Sequence, residues 1–147
     1  SEGPGGPINI PESPAILRYL AMKTNSPLLP KDPRTLAEME VWFSYGVSTF
    51  CMVVAQYGHF HFRTQEDSPP AKKYFETYAR DMYNVIDTHL AGRDYFVGKD
   101  ISLADYAHYA DVRMYKDSIK PEDFPNLKKW YDRISARPAV QRAYAPI

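Results

Sequence analysis

The chain has 147 residues, 44% hydrophobic and 24% charged, the mix of one ordinary globular domain rather than of a disordered or collagen-like chain. Eighteen Lys and Arg balance 18 Asp and Glu, so no net field draws it to nucleic acid or to anionic lipid, and no apolar run reaches membrane-spanning length. A single cysteine, Cys51, excludes an internal disulfide and fits a reducing, cytoplasmic setting.

Residues 1–7 are rich in Gly and Pro and lack the basic-then-apolar order of a secretion signal, so they read as a linker or the edge of a neighbouring unit. The first helix is predicted from Pro14 to Met22, with Glu12 or Ser13 as its cap and Ile16, Leu17 and Leu20 on one side. Pro27 to Pro33 is a stiff connector. A second helix starts after Asp32 and Pro33 and runs to about Gly58, apolar almost all round in its middle and therefore buried on most sides. On it Tyr45, Ser48, Thr49, Met52 and Gln56 form one semi-polar stripe. That stripe is a water-facing edge, a ligand-cleft wall or a polar seam between subunits.

The segment from Gly58 to Arg63 closes the second helix, and 64–70 is a polar loop. A third helix is predicted over 71–90, with Tyr74, Phe75, Tyr78, Met82, Val85, Ile86 and Leu90 as its apolar face and Gly92 free to turn left-handed after it. Tyr95 to Gly98 is a short extended connector. Ser102-Leu103-Ala104-Asp105 is a capping-box variant that opens a fourth helix to about Tyr115. Pro125 opens a fifth, with Leu127, Trp130, Tyr131 and Ile134 on its core side, and Pro138 opens a last short turn over 139–143. No alternating strand pattern occurs. The fold class is all-α, five to six helices around one core.

The chemistry-bearing residues are few. His59 and His61 lie two apart, but no HExxH or Cys-x-x-Cys accompanies them, and the simpler reading is a pair bracketing Phe60 at a helix end. Cys51 sits mid-helix, where a thiolate is disfavoured, and reads as a packed small hydrophobe. Asp81, Asp87, Asp105 and Asp111 cap, pair or face water.

Three segments carry a resemblance. Glu12-Ser13-Pro14-Ala15-Ile16-Leu17-Arg18-Tyr19-Leu20-Ala21 resembles the segment ending the thioredoxin-like domain of glutathione transferases. Phe96-Val97-Gly98 followed by Ser102-Leu103-Ala104-Asp105 resembles that family's buried capping box. The stretch Phe124 to Arg133 with Arg137-Pro138-Ala139-Val140 resembles its late helix pair. Ala55-Gln56-Tyr57-Gly58-His59-Phe60 is similar to the nu-class branch and its fungal nitrogen-regulator relatives. The resemblance implies a glutathione-transferase C-terminal-like helical bundle over 11–147. Within it, 11–22 match the last helix of a thioredoxin-like domain of which residues 1–10 are a linker or remnant, most of that domain being absent.

The resemblance also implies a function: conjugation or transfer of glutathione, as co-substrate, to an apolar electrophilic small molecule, in a cytoplasmic homodimer or in association with a thioredoxin-like domain. Glu12 and Ser13 match the pair that holds the γ-glutamyl end of glutathione. Tyr45, Thr49, Met52 and Gln56 are candidates for the electrophile wall, with Tyr57 and Phe60 closing it. No thiol-activating residue is identified. The alternative is a non-catalytic interaction or assembly module on the same fold, and a third reading is a stand-alone binder of small molecules.

Overall fold

The computed structural model describes residues 2–3 and 6–145. A hairpin of two-residue strands, β1 (Glu2–Gly3) and β2 (Gly6–Pro7), precedes the helices and pairs Glu2 with Pro7. Strands this short carry no alternation, which is why the sequence shows no strand pattern. The rest is helical: α1 (Ser13–Lys23), α2 (Pro33–Ser44), α3 (Cys51–Gly58), α4 (Pro69–His89), α5 (Leu103–Tyr115), α6 (Pro125–Ser135) and α7 (Pro138–Ala143). A 3-10 turn, Pro121–Asp123, leads into α6.

The predicted second helix is continuous in space but not in winding. A π segment, Tyr45–Phe50, joins α2 to α3, and another, His59–Arg63, carries the helix five residues past its predicted end. Each π turn takes in an extra residue, so side-chain phase slips along the rod. The rod also lies close on α5. A Cβ on Gly46 would stand 2.8 Å from His108 Cε1, and one on Gly58 would stand 2.7 Å from Tyr115 Cε1. Two glycines twelve residues apart let the rod sink onto two α5 rings seven residues apart.

α4 keeps part of its predicted face inward: Ile86 and Leu90 are buried and Phe75 and Met82 pack against the core, whereas Tyr74, Tyr78 and Val85 are exposed. Ala79 and Tyr83, outside that predicted face, are fully buried. Asp87, on the same helix, accepts from the Asn126 and Leu127 backbone N–H groups at 2.7 and 2.8 Å. It thus satisfies the first donors of α6 from across the molecule.

The capping box opens α5 as predicted and does more. Asp105 accepts from Ser102 N at 2.8 Å and from the Ser102 hydroxyl at 3.0 Å. Its other oxygen accepts from Phe96 N at 3.1 Å and from Trp130 Nε1 at 2.8 Å. One buried carboxylate therefore joins the 95–97 connector, α5 and α6. Burial still pushes its carboxyl above the usual range, against the pull of those four bonds. Gly92 takes a φ of 71°, the left-handed turn expected after α4.

Candidate functional site

The N-terminus of α1 is built differently from the simple cap the sequence suggests. Glu12 is the N-cap, with its carbonyl accepting from Ile16 N at 3.0 Å, but its side chain makes no capping bond. Its backbone stands at φ 74° and ψ 116°, in the region that favours glycine. Ser13 is the first helical residue. Neither side chain is hydrogen-bonded among the described residues, and both are exposed. The corner therefore presents a carboxylate, a hydroxyl and the positive end of a helix dipole to the outside. An ion pair between Arg18 and Glu40 ties α1 to α2, and the Arg18 guanidinium lies 5.9 Å from the Phe43 ring centre.

α1 also packs along α5. Leu17 and Leu20 of α1, Tyr106 and Tyr109 of α5, and Val140 and Tyr144 at α7 line a mostly apolar groove of about 650 Å³. None of the six candidate wall residues lines this groove.

Those six do not come together on one surface. Tyr45 turns inward, donating its hydroxyl to Met82 Sδ at 3.1 Å and stacking near His108 with ring centres 5.9 Å apart. Burial pushes its phenol up. Thr49 and Met52 are exposed, and Gln56 is half-buried. Tyr57 is in the core, edge-on to Tyr115 with ring centres 5.7 Å apart. Phe60 points to α4 and stacks on Phe75 at 5.2 Å. Tyr45 and Phe60 thus lie on the α4 side of the rod, whereas α1 attaches through Glu40. His61 sets Nδ1 2.9 Å from the Tyr57 carbonyl, and His59 lies edge-on to Phe60.

Two buried titratable groups on α5 stand out. His108 is sealed among rings, 4.1 Å from Phe96 and 5.4 Å from Phe50 between ring centres. Its Nδ1 is 2.8 Å from the Ala104 carbonyl, and its Nε2 is buried without a hydrogen-bond partner among the described residues. Burial depresses its pKa to about 4. Asp111 is largely buried beside Cys51 and is pushed up to about 6, while burial and that carboxyl push the Cys51 thiol up as well. The thiol is held protonated, in keeping with its reading as a packed group. A signal for both α5 groups existed. Positions 104, 108, 111 and 115 follow the helical stripe set by the buried Ala104, which puts an imidazole and a carboxyl on the core side.

The helical fold agrees with what the comparisons find. Residues 50–138 match the family described as glutathione S-transferase, C-terminal domain, and the chain belongs to it. Among curated relatives it is 29% identical over 140 residues to the disulfide-bond oxidoreductase YfcG of Escherichia coli (strain K12), a match covering 95% of this chain and 65% of that protein. The chain thus spans less than two thirds of that relative's length. Among solved structures, a glutathione transferase from Burkholderia graminis, with two glutathione molecules bound per subunit, superposes with a TM-score of 0.86. It is 29% identical, with 96% of this chain and 62% of that one covered. Ure2p in complex with S-hexylglutathione superposes at 0.83 with 25% identity, covering 91% of this chain and 68% of that one. Among the described residues no helix is long and apolar enough to cross a membrane.

Proposed function

We propose that this chain is the helical part of a glutathione transferase-type protein in which a thioredoxin-like domain completes the site. Glutathione is the co-substrate, an apolar electrophile is the acceptor, and the working form is a cytoplasmic homodimer. The observation that carries the reading is Glu12. An L-residue held at φ 74°, with a carboxylate and a neighbouring Ser13 hydroxyl that have no hydrogen bond among the described residues, stores strain at the head of α1. A carboxylate placed there accepts from an ammonium group. The hydroxyl and the helix N-terminus suit the α-carboxylate beside it, and together these match the γ-glutamyl end of glutathione. The solved relatives with glutathione bound support the choice of ligand.

On this reading residues 1–10 lead out of the thioredoxin-like unit and 11–147 form the helical domain. Tyr45, Thr49, Met52, Gln56, Tyr57 and Phe60 remain the proposed electrophile side, of which Thr49 and Met52 are exposed, Tyr45, Gln56 and Phe60 half-buried and Tyr57 buried. The test is calorimetric titration of glutathione at millimolar concentration. One-site binding lost in Ser13→Ala supports a working Glu12-Ser13 corner, and absence of heat and of any melting shift makes this chain at most half a site, a scaffold or substrate-wall domain.

A second reading is favoured by the groove between α1, α5 and α7. An apolar groove of about 650 Å³ is a docking surface as readily as a domain seam, and it suits a non-catalytic assembly module on this fold. Concentration-dependent sedimentation without glutathione affinity would favour that module.

A further inference from the structure

We propose that the turn after α4, together with α6, forms a binding site for a diphosphate group. Two hollows adjoin here. One, of about 290 Å³, lies between the turn and α6, and its lining includes Arg93, Asp94, Asn126, Lys129 and Arg133. The other, of about 580 Å³, shares the turn and adds Gly98 and Lys99. Gly92, Arg93 and Asp94 line both, so one guanidinium serves two hollows. Gly92 and Gly98 stand at φ 71° and 63°, and a Cβ on either would meet nothing within 4 Å. At both glycines the wall is bare backbone, open to a small polar group.

Charge selects the ligand. Eighteen cations balance 18 anions in the whole chain, yet the two hollows collect Arg93, Lys99, Lys129 and Arg133 against one carboxylate, Asp94. Asp94 is already engaged, because Arg133 holds its carboxylate at 2.6 Å and its carbonyl at 2.7 Å. That double clasp also fastens the turn to α6, so the frame is set before a ligand arrives. The side chains of Arg93, Lys99 and Lys129 have no ion pair or hydrogen bond among the described residues. Asp87 does not neutralise them, since its oxygens accept from Asn126 and Leu127 at the head of α6. Lys128, one position along α6, shows the ordinary solvated arrangement: it pairs with Asp132 at 2.5 Å. Three unpaired cations around two joined hollows suit two linked phosphates, with the guanidinium fork bridging them and a lysine on each. No aromatic side chain lines either hollow, so the phosphates themselves are what the site reads. The charge of Arg93 reaches His89, whose imidazole is held below its ordinary range by burial and by that guanidinium. The site uses neither Glu12 nor Ser13, so it stands or falls separately from the glutathione reading.

The probes are inorganic diphosphate, adenosine diphosphate and inorganic monophosphate, titrated by calorimetry into the full chain at constant ionic strength. Inorganic diphosphate is expected to bind at one saturable site, tighter than monophosphate by roughly tenfold or more, the scale of a charge-assisted hydrogen bond. Adenosine diphosphate binding as tightly would assign an esterified diphosphate as the ligand, and its failure beside a binding inorganic diphosphate would assign the free anion; either supports the site. Arg93→Met, Lys99→Met and Lys129→Met keep the apolar stems, and each is expected to weaken diphosphate by roughly tenfold with an unchanged melting temperature. Lys128→Met removes the same charge from a lysine that lines neither hollow and should leave the affinity unchanged. In a proton-detected titration the His89 imidazole should protonate at higher pH with diphosphate bound, because the anion cancels the charge of Arg93. Equal affinity for monophosphate and diphosphate, undiminished binding in Arg93→Met, or equal losses in Lys128→Met and Lys129→Met would each overturn the proposal.

Discussion

Replacing Asp105 by Ala strips four donors at once. Phe96 N, Ser102 N, the Ser102 hydroxyl and Trp130 Nε1 all give their protons to this one carboxylate, at 2.8 to 3.1 Å. Asp105 and Trp130 are fully buried, so water does not reach the orphaned groups without opening the core. A buried donor left without a partner costs about 1–3 kcal/mol, and the separate costs do not add fully because one rearrangement relieves several of them. Removing a desolvated carboxyl offsets part of the loss. The net expectation is ~3–5 kcal/mol, well above the ~1 kcal/mol of an ordinary cap. For a domain of this size that corresponds to a fall in Tm of roughly 6–20 °C. Urea unfolding at pH 7 measures the free energy, and hydrogen exchange of the Trp130 indole N–H reports whether the hub itself opened. Asp105→Asn should recover only part of the loss, because its amide nitrogen faces groups that are themselves donors. A loss under about 1 kcal/mol for Asp105→Ala, with the indole still protected, would refute the hub and reduce Asp105 to a local cap.

His108 and Asp111 pull stability in opposite directions with pH. His108, depressed to about 4 in the fold, supplies stability that is present above its unfolded value of 6.5 and lost as pH falls toward 4. Asp111, raised from 3.8 to about 6, supplies stability that is present below 3.8 and lost as pH rises through 6. Each shift corresponds to ~3 kcal/mol, so the two nearly cancel between pH 4 and 6.5. Asp111→Asn should make stability climb with pH across that window, and His108→Leu should make it fall. Urea midpoints at three pH values check this, and two variants with the parent slope would disprove it. Gly58→Ala should cost about 1–3 kcal/mol by pushing Tyr115 off the rod, and a double-mutant cycle with Tyr115→Ala should return most of that as coupling. If Gly58→Ala melts like the parent, the close approach is not tight. Glu12→Gly should stabilise by about 0.5–1 kcal/mol, because glycine tolerates φ 74°, while lowering glutathione affinity. A destabilised variant that binds glutathione as before would show that the corner is neither strained nor used.

Much of the fold was legible because its signals are local. Pro at the head of a helix, Asp32 accepting from Thr35 N at 2.9 Å and the Ser102–Asp105 box all act within four residues, and each stands where its pattern placed it. The α4 face was legible in part: Ile86 and Leu90 are buried where their spacing places them, but only tertiary packing put Tyr74 and Tyr78 outside and Ala79 and Tyr83 inside. The candidate site divides in the same way. Glu12 and Ser13 stood out as a local pair, but the positive φ of Glu12 is a backbone conformation that no residue pattern around it announces. Of the proposed wall, Thr49 and Met52 are exposed as a water-facing stripe would be, and only the packing of the rod put Tyr57 into the core.

By itself the sequence determined an all-helical domain and the heads of its helices, because capping, proline placement and apolar periodicity are read over one or two turns, while its family came from the resemblance of whole segments to known ones. Tertiary structure alone decided the rest. It made Asp105 a hub for three segments, left His108 Nε2 sealed without a partner among the described residues, and set Arg93, Lys99 and Lys129 around two adjoining hollows. These depend on groups far apart in the chain meeting in a close-packed interior, where the energy of a polar or charged side chain is set by what the other helices bring to it.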